Sequence, residues 1–303
     1  MKKDHFIVVG LGELLWDIFP SGKQLGGAPA NFAYVTSVLG DRGLVASRVG
    51  RDELGNETQD KLQALGLECT NVQKDSDHPT GTVQVCVDSA GQPRFQITES
   101  TAWDFLQWTE EYRQLAFETD AVCFGSLAQR SPQSRETIRQ FLAATPANAA
   151  RVFDVNLRQS FFSADIVRQS MQIANIVKLN HEELPRVMGL VGLASTDMNS
   201  AMHSIMRRFD LQLICVTRGE NGSVLRTAEA VDEHPGLQVP VKDTVGAGDA
   251  FTAGLLHCFL RGTTLKTMNA VANQMGAWVA GHQGATPPRA SAPLTNLVTD
   301  RAS

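Results

Sequence analysis

The feature that most constrains the fold is a repeated alternation of short β-rich runs with helical patterns. Six runs combine apolar and β-branched residues over the length of a buried strand. They are FIVVG at 6–10, GLVASRVG at 43–50, DAVCFG at 120–125, RVFDVN at 151–156, NIVKLN at 175–180 and LQLICVT at 211–217. Because helix-like segments lie between most of them, the pattern predicts an α/β fold with a mostly parallel central sheet covered by helices.

One helix shows the evidence for the covering layers. A helix that begins near Pro29 places Phe32, Val35 and Leu39 on one face, and Gly40 stands where it should end. Such a helix needs a sheet to pack against.

The segment from Thr80 to Thr98 breaks this rhythm, since apolar residues alternate with polar ones on both sides of the sequence DSAG. This pattern predicts an antiparallel hairpin. Together with the segment from Leu14 to Leu25, the hairpin would form a small projecting sheet. An ordinary edge hairpin and a lid over a substrate are both consistent with the pattern.

Composition restricts the class of protein. A chain of 303 residues with 43% hydrophobic content can bury a large core, and a net charge of −5 argues against nucleic acid as a partner. Five cysteines occur singly, which favours a reducing cytoplasm over a disulfide framework. No apolar run approaches the ~20 residues of a membrane span, so we expect no membrane partner.

The stretch VKDTVGAGDAFTAGLL, from Val241 to Leu256, predicts an anion site. Gly246 and Gly248 leave backbone amides free to approach an anion, and the apolar run that follows indicates a helix whose N-terminus faces the same point. Asp249 beside this loop would accept the proton of an attacking hydroxyl group. The alternative is that Asp249 only caps the helix.

A second group of candidates lies near the N-terminus, in ELLWDIFPSGKQLGGAPANFAYV. Asp17 and Asn31 offer hydrogen-bonding groups, and the pair Gly26 and Gly27 lets a ligand lie against the backbone, as a polyhydroxyl compound requires. Each residue alone is equally consistent with a turn, a loop or a first helical turn. The P-loop motif is absent and GLGELL lacks the third glycine of a dinucleotide fingerprint, which disfavours those two classes.

The sequences GGAPANFA and DTVGAGDAFTAG resemble the two signatures of the ribokinase-like (PfkB) family of carbohydrate kinases, over a region from Gly12 to about Gly284. Within the family, GELLWDIFP, GGAPAN, FGSLAQRS and FDVNLR are most similar to bacterial fructokinases. The resemblance implies a single three-layer, Rossmann-like α/β domain over 1–303 with a β lid formed by about 13–27 and 80–100. It also implies an enzyme that uses ATP and Mg²⁺ and transfers the γ-phosphoryl group of ATP to a sugar hydroxyl group.

The resemblance also implies roles for individual residues. Asp249 matches the family's catalytic base, and Gly246, Ala247 and Gly248 match its anion hole. Sugar-contacting positions are matched by Asp17, Gly27 and Asn31, beside which we place Gly26 and Arg158 as further substrate candidates. The family's Asn-x-x-Glu element, which helps to organise magnesium and phosphate, is matched by Asn180 and Glu183. Nucleotide-binding positions are matched by Thr217, Gly219, Gly222 and Asn273.

Family members often bind a monovalent cation near the residue that matches Asp243 and the loop that matches 280–284. This loop reads AGHQGATPPRAS here, and His282, Pro287 and Pro288 depart from the family pattern. Binding of K⁺, in addition to Mg²⁺, is therefore an open alternative. Arg130 is a candidate for a sugar or phosphate contact or for a surface ion pair, and Trp103 and Phe95 are candidates for pocket walls or for core packing.

The predicted reaction is phosphorylation of fructose by ATP. The alternative substrates are ribose, 2-keto-3-deoxygluconate and a nucleoside, since no sequence feature indicates how many hydroxyl groups the substrate carries. From other classes, the alternatives are a sugar- or nucleotide-binding regulator without turnover and a dehydrogenase. A homodimer through the small sheets is a further expectation.

Overall fold

A computed structural model describes Lys3, residues 5–87 and residues 93–293 of the chain. The predicted turn DSAG at 88–91 therefore lies outside the described residues. The strands are β1 Ile7–Leu11, β2 Leu15–Phe19, β3 Gly22–Gly26, β4 Arg42–Gly50, β5 Val72–Asp75, β6 Gly81–Val87, β7 Pro93–Ile97, β8 Ala121–Phe124, β9 Ala150–Asp154, β10 Ile176–Asn180, β11 Leu213–Thr217, β12 Ser223–Arg226 and β13 Val231–His234.

The α-helices of the described residues connect these strands, together with short 3₁₀ turns. The helices are α1 Ala28–Val38, α2 Glu53–Ala64, α3 Glu110–Glu118, α4 Pro132–Ala144, α5 Ala164–Ile173, α6 Glu183–Val191, α7 Met198–Phe209, α8 Ala247–Leu260 and α9 Leu265–Ala280. The 3₁₀ turns are Ala102–Phe105, Leu127–Gln129, Gly219–Asn221 and Arg289–Ser291. None of the helices in this part of the chain combines the length and the apolar character that crossing a membrane requires.

The central sheet has nine strands among the described residues, in the order β13-β12-β11-β10-β9-β8-β1-β4-β5. Pairing is parallel from β11 through to β5 and antiparallel at β12 and β13. All six strands predicted from the sequence lie in this sheet. Strands β5, β12 and β13 were not predicted. The edge strands β5 and β13 are short polar runs, VQKD and VDEH, which lack an apolar signal.

Two hydrophobic cores lie on opposite faces of the central sheet, as the alternation of side chains along a strand requires. Val9 and Leu11 of β1 join the core that contains residues of α3 to α7. Val8 joins the core that contains residues of α1, α2, α8 and α9. The chain therefore forms three layers, with helices on both faces of a mostly parallel sheet.

Helix α1 begins and ends as predicted, with Pro29 in its first turn and Gly40 beyond its last residue at a φ of 92°. The prediction of one buried face was incomplete, because nine of its eleven residues are buried. It packs against β1 and β4 on one side and against α8 on another. The last helices of the chain thus cover a helix formed near its beginning.

A second sheet has the order β3-β2-β6-β7. Strands β6 and β7 form the predicted antiparallel hairpin, and β2 pairs with β6 in parallel. The segment from Leu14 to Leu25, which the sequence predicts to join the hairpin in a small sheet, is therefore its neighbour. Trp16 of β2 donates from Nε1 to Leu54 O and Thr58 Oγ1, at 3.1 and 2.9 Å, which ties this sheet to α2.

Candidate active site

A cavity of about 720 Å³ lies where the second sheet faces the carboxyl ends of the central strands. Strand ends contribute Asn180 and Thr217, and the second sheet contributes an apolar wall of Leu15, Phe19, Val83 and Ile97. Crevices at the carboxyl ends of parallel strands are where open α/β sheets bind ligands.

The sugar candidates Asp17, Gly27, Asn31 and Arg158 line this cavity. Burial raises the pKa of Asp17 to about 6, although the charge of Arg158 lowers it. Gly27 has a φ of 111°, and a Cβ there would lie 2.5 Å from Glu13 O, so only glycine fits without strain. Gly26 instead packs beside Asp17, since a Cβ on Gly26 would lie 2.6 Å from Asp17 Oδ2.

The glycine loop lies on the other side of the same cavity, which is lined by Gly246, Gly248 and Asp249. Gly246, at a φ of 77°, immediately precedes α8, so the helix begins at Ala247 and Asp249 falls in its first turn. Asp249 Oδ2 accepts a hydrogen bond of 2.9 Å from Asn31 Nδ2.

The surroundings of Asp249 decide when it ionises. Burial is the largest cause that raises its pKa, to about 6, and the charge of Asp154 acts in the same direction. The hydrogen bond from Asn31 and the charges of Lys178 and Arg158 lower it. A carboxyl group with a pKa near neutrality, held at a cavity wall, is suited to accept a proton.

Two charged residues beneath the loop were not predicted. Lys178 Nζ donates to both carboxylate oxygens of Asp154, at 3.0 Å each, and Thr252 Oγ1 donates to Asp154 Oδ2 at 3.0 Å. Lys178 also lines the cavity, and a Cβ on Gly248 would lie 3.0 Å from its Nζ. A lysine inside the apolar run IVKLN was the available signal, because a buried charge needs a partner.

Glu13 is a third residue that sequence reasoning missed. It follows β1, is only 4% exposed, and lines the large cavity together with Asp249. Burial is the largest cause that raises its pKa to about 7, and the charge of Asp249 adds to the effect. The acid in GLGELL, directly after a buried strand, was the available signal.

Asn180 and Glu183 are held together by backbone contacts. Asn180 Oδ1 accepts from the amides of Glu182 and Glu183, at 2.9 and 2.8 Å. Glu183 accepts from the amides of Asn180 and Leu157, at 2.9 and 2.8 Å. This is the helix-start arrangement expected of such a pair. Asn180 lines the cavity, whereas Glu183 is buried beside it.

A second cavity of about 250 Å³ adjoins the first, and the two share Thr217, Thr244 and Gly248. All four nucleotide candidates line it, namely Thr217, Gly219, Gly222 and Asn273. Its apolar wall includes Leu237, Val239, Val241, Phe251 and Ala277. Asn273 Nδ2 donates to Ser223 Oγ at 2.7 Å, so the orientation of its amide group is fixed.

The metal candidate Asp243 accepts from the amides of Val245 and Gly284, at 3.0 and 3.1 Å. These contacts bring the loop after α9 against the glycine loop, as the cation-site resemblance implies. In the described part of the chain, no group of three or more His, Cys, Asp or Glu residues is arranged to hold a metal ion.

Two other candidates lie outside the cavity. Arg130 forms an ion pair with Asp104 at 2.7 Å, and its guanidinium lies 4.0 Å from the ring centroid of Trp103. Trp103 is fully buried in the core, so the core-packing alternative is correct for it. Arg130 is a structural residue in a buried ion pair, and the expectation of a surface pair was wrong because its aromatic neighbours cover it. The Phe95 side chain lies outside the described residues.

The glycine loop lies between a smaller, mostly apolar slot and a larger pocket with polar side chains, and a kinase for a small hydroxylated substrate needs two such neighbouring pockets. The chain belongs to the pfkB family of carbohydrate kinases, whose family model matches residues 19–292. It is an ATP-dependent sugar kinase. Of the classes that the sequence left open, these matches support the kinase over the regulator without turnover and the dehydrogenase.

Several relatives resemble the chain over most of its length. A fructokinase of Escherichia coli is 30% identical over 257 residues, which cover 81% of this chain and 82% of the relative. An uncharacterised sugar kinase of Pyrococcus horikoshii, solved in complex with ATP, is 27% identical with a TM-score of 0.79 and 95% of each chain covered. A double mutant of a Vibrio cholerae fructokinase, solved with fructose, ADP and potassium, is 27% identical with a TM-score of 0.78, covering 94% of this chain and 95% of that one.

Proposed function

We propose that this kinase transfers the γ-phosphoryl group of ATP to a primary hydroxyl group of fructose, with Asp249 as the proton acceptor. The observation that carries the proposal is the position of Asp249 next to Gly248, which lines both cavities. A sugar in the large cavity and a nucleotide in the smaller one would meet at this point.

In the proposed reaction, the sugar hydroxyl attacks the γ-phosphorus in line with the leaving ADP oxygen, while its proton passes to Asp249. The backbone amides of Gly246, Ala247 and Gly248, at the N-terminus of α8, stabilise the negative charge on the phosphoryl oxygens. The Asn31 hydrogen bond holds the carboxylate in one orientation. These residues contribute alignment and electrostatic stabilisation, which dominate catalysis of phosphoryl transfer.

Mg²⁺ would arrive with ATP and neutralise charge on its β- and γ-phosphate oxygens when bound. Asn180 lines the cavity and Glu183 is buried beside it, and backbone contacts orient both side chains, whose oxygen atoms would help to hold this ion. They fit Mg²⁺ held through water, as that ion usually is. Lys178, held by Asp154, adds a fixed positive charge under the anion site.

The charges of the cavity favour a neutral sugar over a sugar acid. The carboxylates of Asp17 and Asp249 line the cavity against the guanidinium of Arg158, and the ammonium of Lys178 is already paired with Asp154. The carboxylate of 2-keto-3-deoxygluconate would meet more repulsion than attraction there, whereas fructose carries no charge. The relatives named fructokinase support the same choice.

The substrate is tested with purified protein, ATP and Mg²⁺ against fructose, ribose, 2-keto-3-deoxygluconate and nucleosides. We expect the highest kcat/KM with fructose, and a kcat of Asp249→Asn that is lower by about 10²- to 10⁴-fold. A value for any other acceptor ten times that for fructose would overturn the substrate assignment. Repeating the assay with Na⁺ in place of K⁺ tests whether Asp243 and the loop at 280–284 hold a monovalent cation.

We further propose that the chain acts as one domain, in which about 13–27 and 80–100 serve as a lid over the sugar. The apolar wall that the second sheet gives the cavity supports this assignment. A homodimer through these sheets stays a prediction, which light scattering tests. The free cysteines Cys69, Cys123, Cys215 and Cys258 suit a reducing compartment, and we propose a cytoplasmic location.

A further inference from the structure

Glu13 occupies an unusual position for a glutamate. Its side chain is only 4% exposed, yet it lines the large cavity and also a chamber of about 20 Å³ beneath it. Asp249 lines both spaces as well, and Asp154 lines the chamber. Gly27 permits this position, since a Cβ on Gly27 would lie 2.5 Å from Glu13 O. The sugar cavity therefore contains, besides Asp17 and Asp249, a third carboxyl group, which lines both spaces together with Asp249.

Two carboxyl groups that share one buried space do not both ionise readily, because each charge is poorly solvated and repels the other. Asp249 is the better placed to carry the charge. It accepts a hydrogen bond from Asn31 and lies in the first turn of α8, where the helix dipole favours a negative group. Lys178 and Arg158 also favour its ionised form.

Glu13 has weaker support for a charge. Backbone amides of Glu13 itself and Ala28 lower its pKa, and the repulsion from Asp249 exceeds the attraction of Arg158. The pKa of Glu13 is about 7 and that of Asp249 about 6, both raised mainly by burial. Because Asp249 accepts the hydrogen bond from Asn31 and lies in the first turn of α8, it is the group that ionises first, and Glu13 is the one that keeps its proton.

The other charged or titratable groups around this pair lie on several elements. They are Asp17 of β2, Cys123 of β8, Asp154 of β9, Arg158 after β9 and Lys178 of β10. Lys178 is paired with Asp154, and its charge also favours the ionised form of Asp249.

We propose that Glu13 binds the sugar as a neutral acid, donating its proton in a hydrogen bond to a sugar oxygen beside the hydroxyl group that Asp249 deprotonates. The assignment rests on the proposed function in so far as Asp249 is the base. It adds a specificity-determining contact for a neutral polyol. Since the sugar then binds the protonated form of Glu13, sugar binding must take up a proton wherever free Glu13 is partly ionised.

Calorimetric titration of the full-length protein with fructose, without ATP, measures this uptake when repeated in buffers of different ionisation enthalpy. At pH 7, where Glu13 with a pKa of about 7 is half ionised, we expect the wild type to take up about half a proton on binding fructose. Glu13→Gln keeps a donor but cannot ionise, so we expect no uptake and an affinity within about threefold of the wild type. Glu13→Leu, which lacks the donor, should bind fructose about tenfold more weakly at pH 6.5.

Glu57→Gln is the matched control, because Glu57 lies on α2 in an exposed pair with Lys23, and it should show the uptake of the wild type. Fructose binding without proton uptake by the wild type overturns the inference, as does equal affinity of the Gln and Leu variants. If Glu13→Leu does not fold, the proton uptake of the wild type and of Glu13→Gln on fructose binding still tests whether Glu13 binds the sugar in its protonated form. Full turnover by Asp249→Asn would instead overturn the proposed base while leaving the measured uptake as the test of Glu13.

Discussion

Asn31 and Asp249 are joined by a hydrogen bond of 2.9 Å across 218 positions of sequence. The bond connects the first turn of α1 to the first turn of α8, two helices that also pack together. The sugar-side and phosphate-side candidates thus meet in one contact. Several expected outcomes depend on this contact and on the charges around it.

Asp249→Asn should strongly reduce turnover and leave the fold intact. Asparagine keeps the size of the side chain and an oxygen that can accept from Asn31, but it cannot take a proton. Loss of a general base lowers the rate by about 10²- to 10⁴-fold. We expect kcat to fall by this factor, with fructose affinity by calorimetry and the melting temperature close to those of the wild type. A kcat within about threefold of the wild type would leave Asp249 with a capping or binding role only.

The rate should depend on pH through Asp249. Because the base must be ionised, kcat/KM should fall below a pH of about 6, the value to which burial and Asp154 raise its pKa. Asn31→Ala removes a donor to the charged form, which raises that pKa, so the acidic limb should move up by about one pH unit. Steady-state rates from pH 5 to 8 check this. An unchanged limb in Asn31→Ala would show that the bond does not control ionisation of the base.

Lys178→Met should lower both the stability of the protein and its kcat. The change leaves the Asp154 carboxylate buried without its partner, which typically costs about 3 to 5 kcal/mol of unfolding free energy. The double variant Lys178→Met with Asp154→Asn should recover most of the stability but not the rate, since the positive charge under the anion site stays absent. Urea unfolding and kcat of both variants separate the two effects, and full recovery of rate would remove Lys178 from the mechanism.

Gly246→Ala should damage the anion loop. A Cβ at this position would lie 2.9 Å from Ala285 Cα, and the φ of 77° is strained for alanine. We expect a loss of about 1 to 3 kcal/mol of stability together with a clear loss of kcat. Gly262→Ala is the matched control, because its φ of 63° carries a similar strain with no atom near the added Cβ. That control should lose some stability and keep its kcat.

The hairpin formed by β6 and β7 should become more protected when ligands bind. Thr80, before β6, is anchored by Asp52, whose carboxylate accepts from Thr80 N at 2.7 Å and from Thr80 Oγ1 at 2.6 Å. Thr98, after β7, accepts a hydrogen bond of 2.6 Å from Arg130. These ends should stay fixed while amide exchange at 81–87 and 93–97 slows with fructose and a non-hydrolysable ATP analogue. Unchanged exchange there would contradict lid closure.

The sequence by itself determined the central strands, the beginning and end of α1, the hairpin and the glycine loop. Each of these depends on signals within a few neighbouring residues, such as apolar periodicity, proline and glycine positions, and alternation. The candidates Asp17, Gly27, Asn31, Arg158 and Asp249 all line one cavity, so the motifs also located its walls.

Only the tertiary structure decided which charges face each other. It paired Lys178 with Asp154 and Arg130 with Asp104, buried Trp103 in the core, and set Glu13 beside Asp249. These relationships join residues from different strands and helices, so no local pattern encodes them. The pKa of a carboxyl group depends on its burial and on the charges around it, and both exist only once the chain has folded.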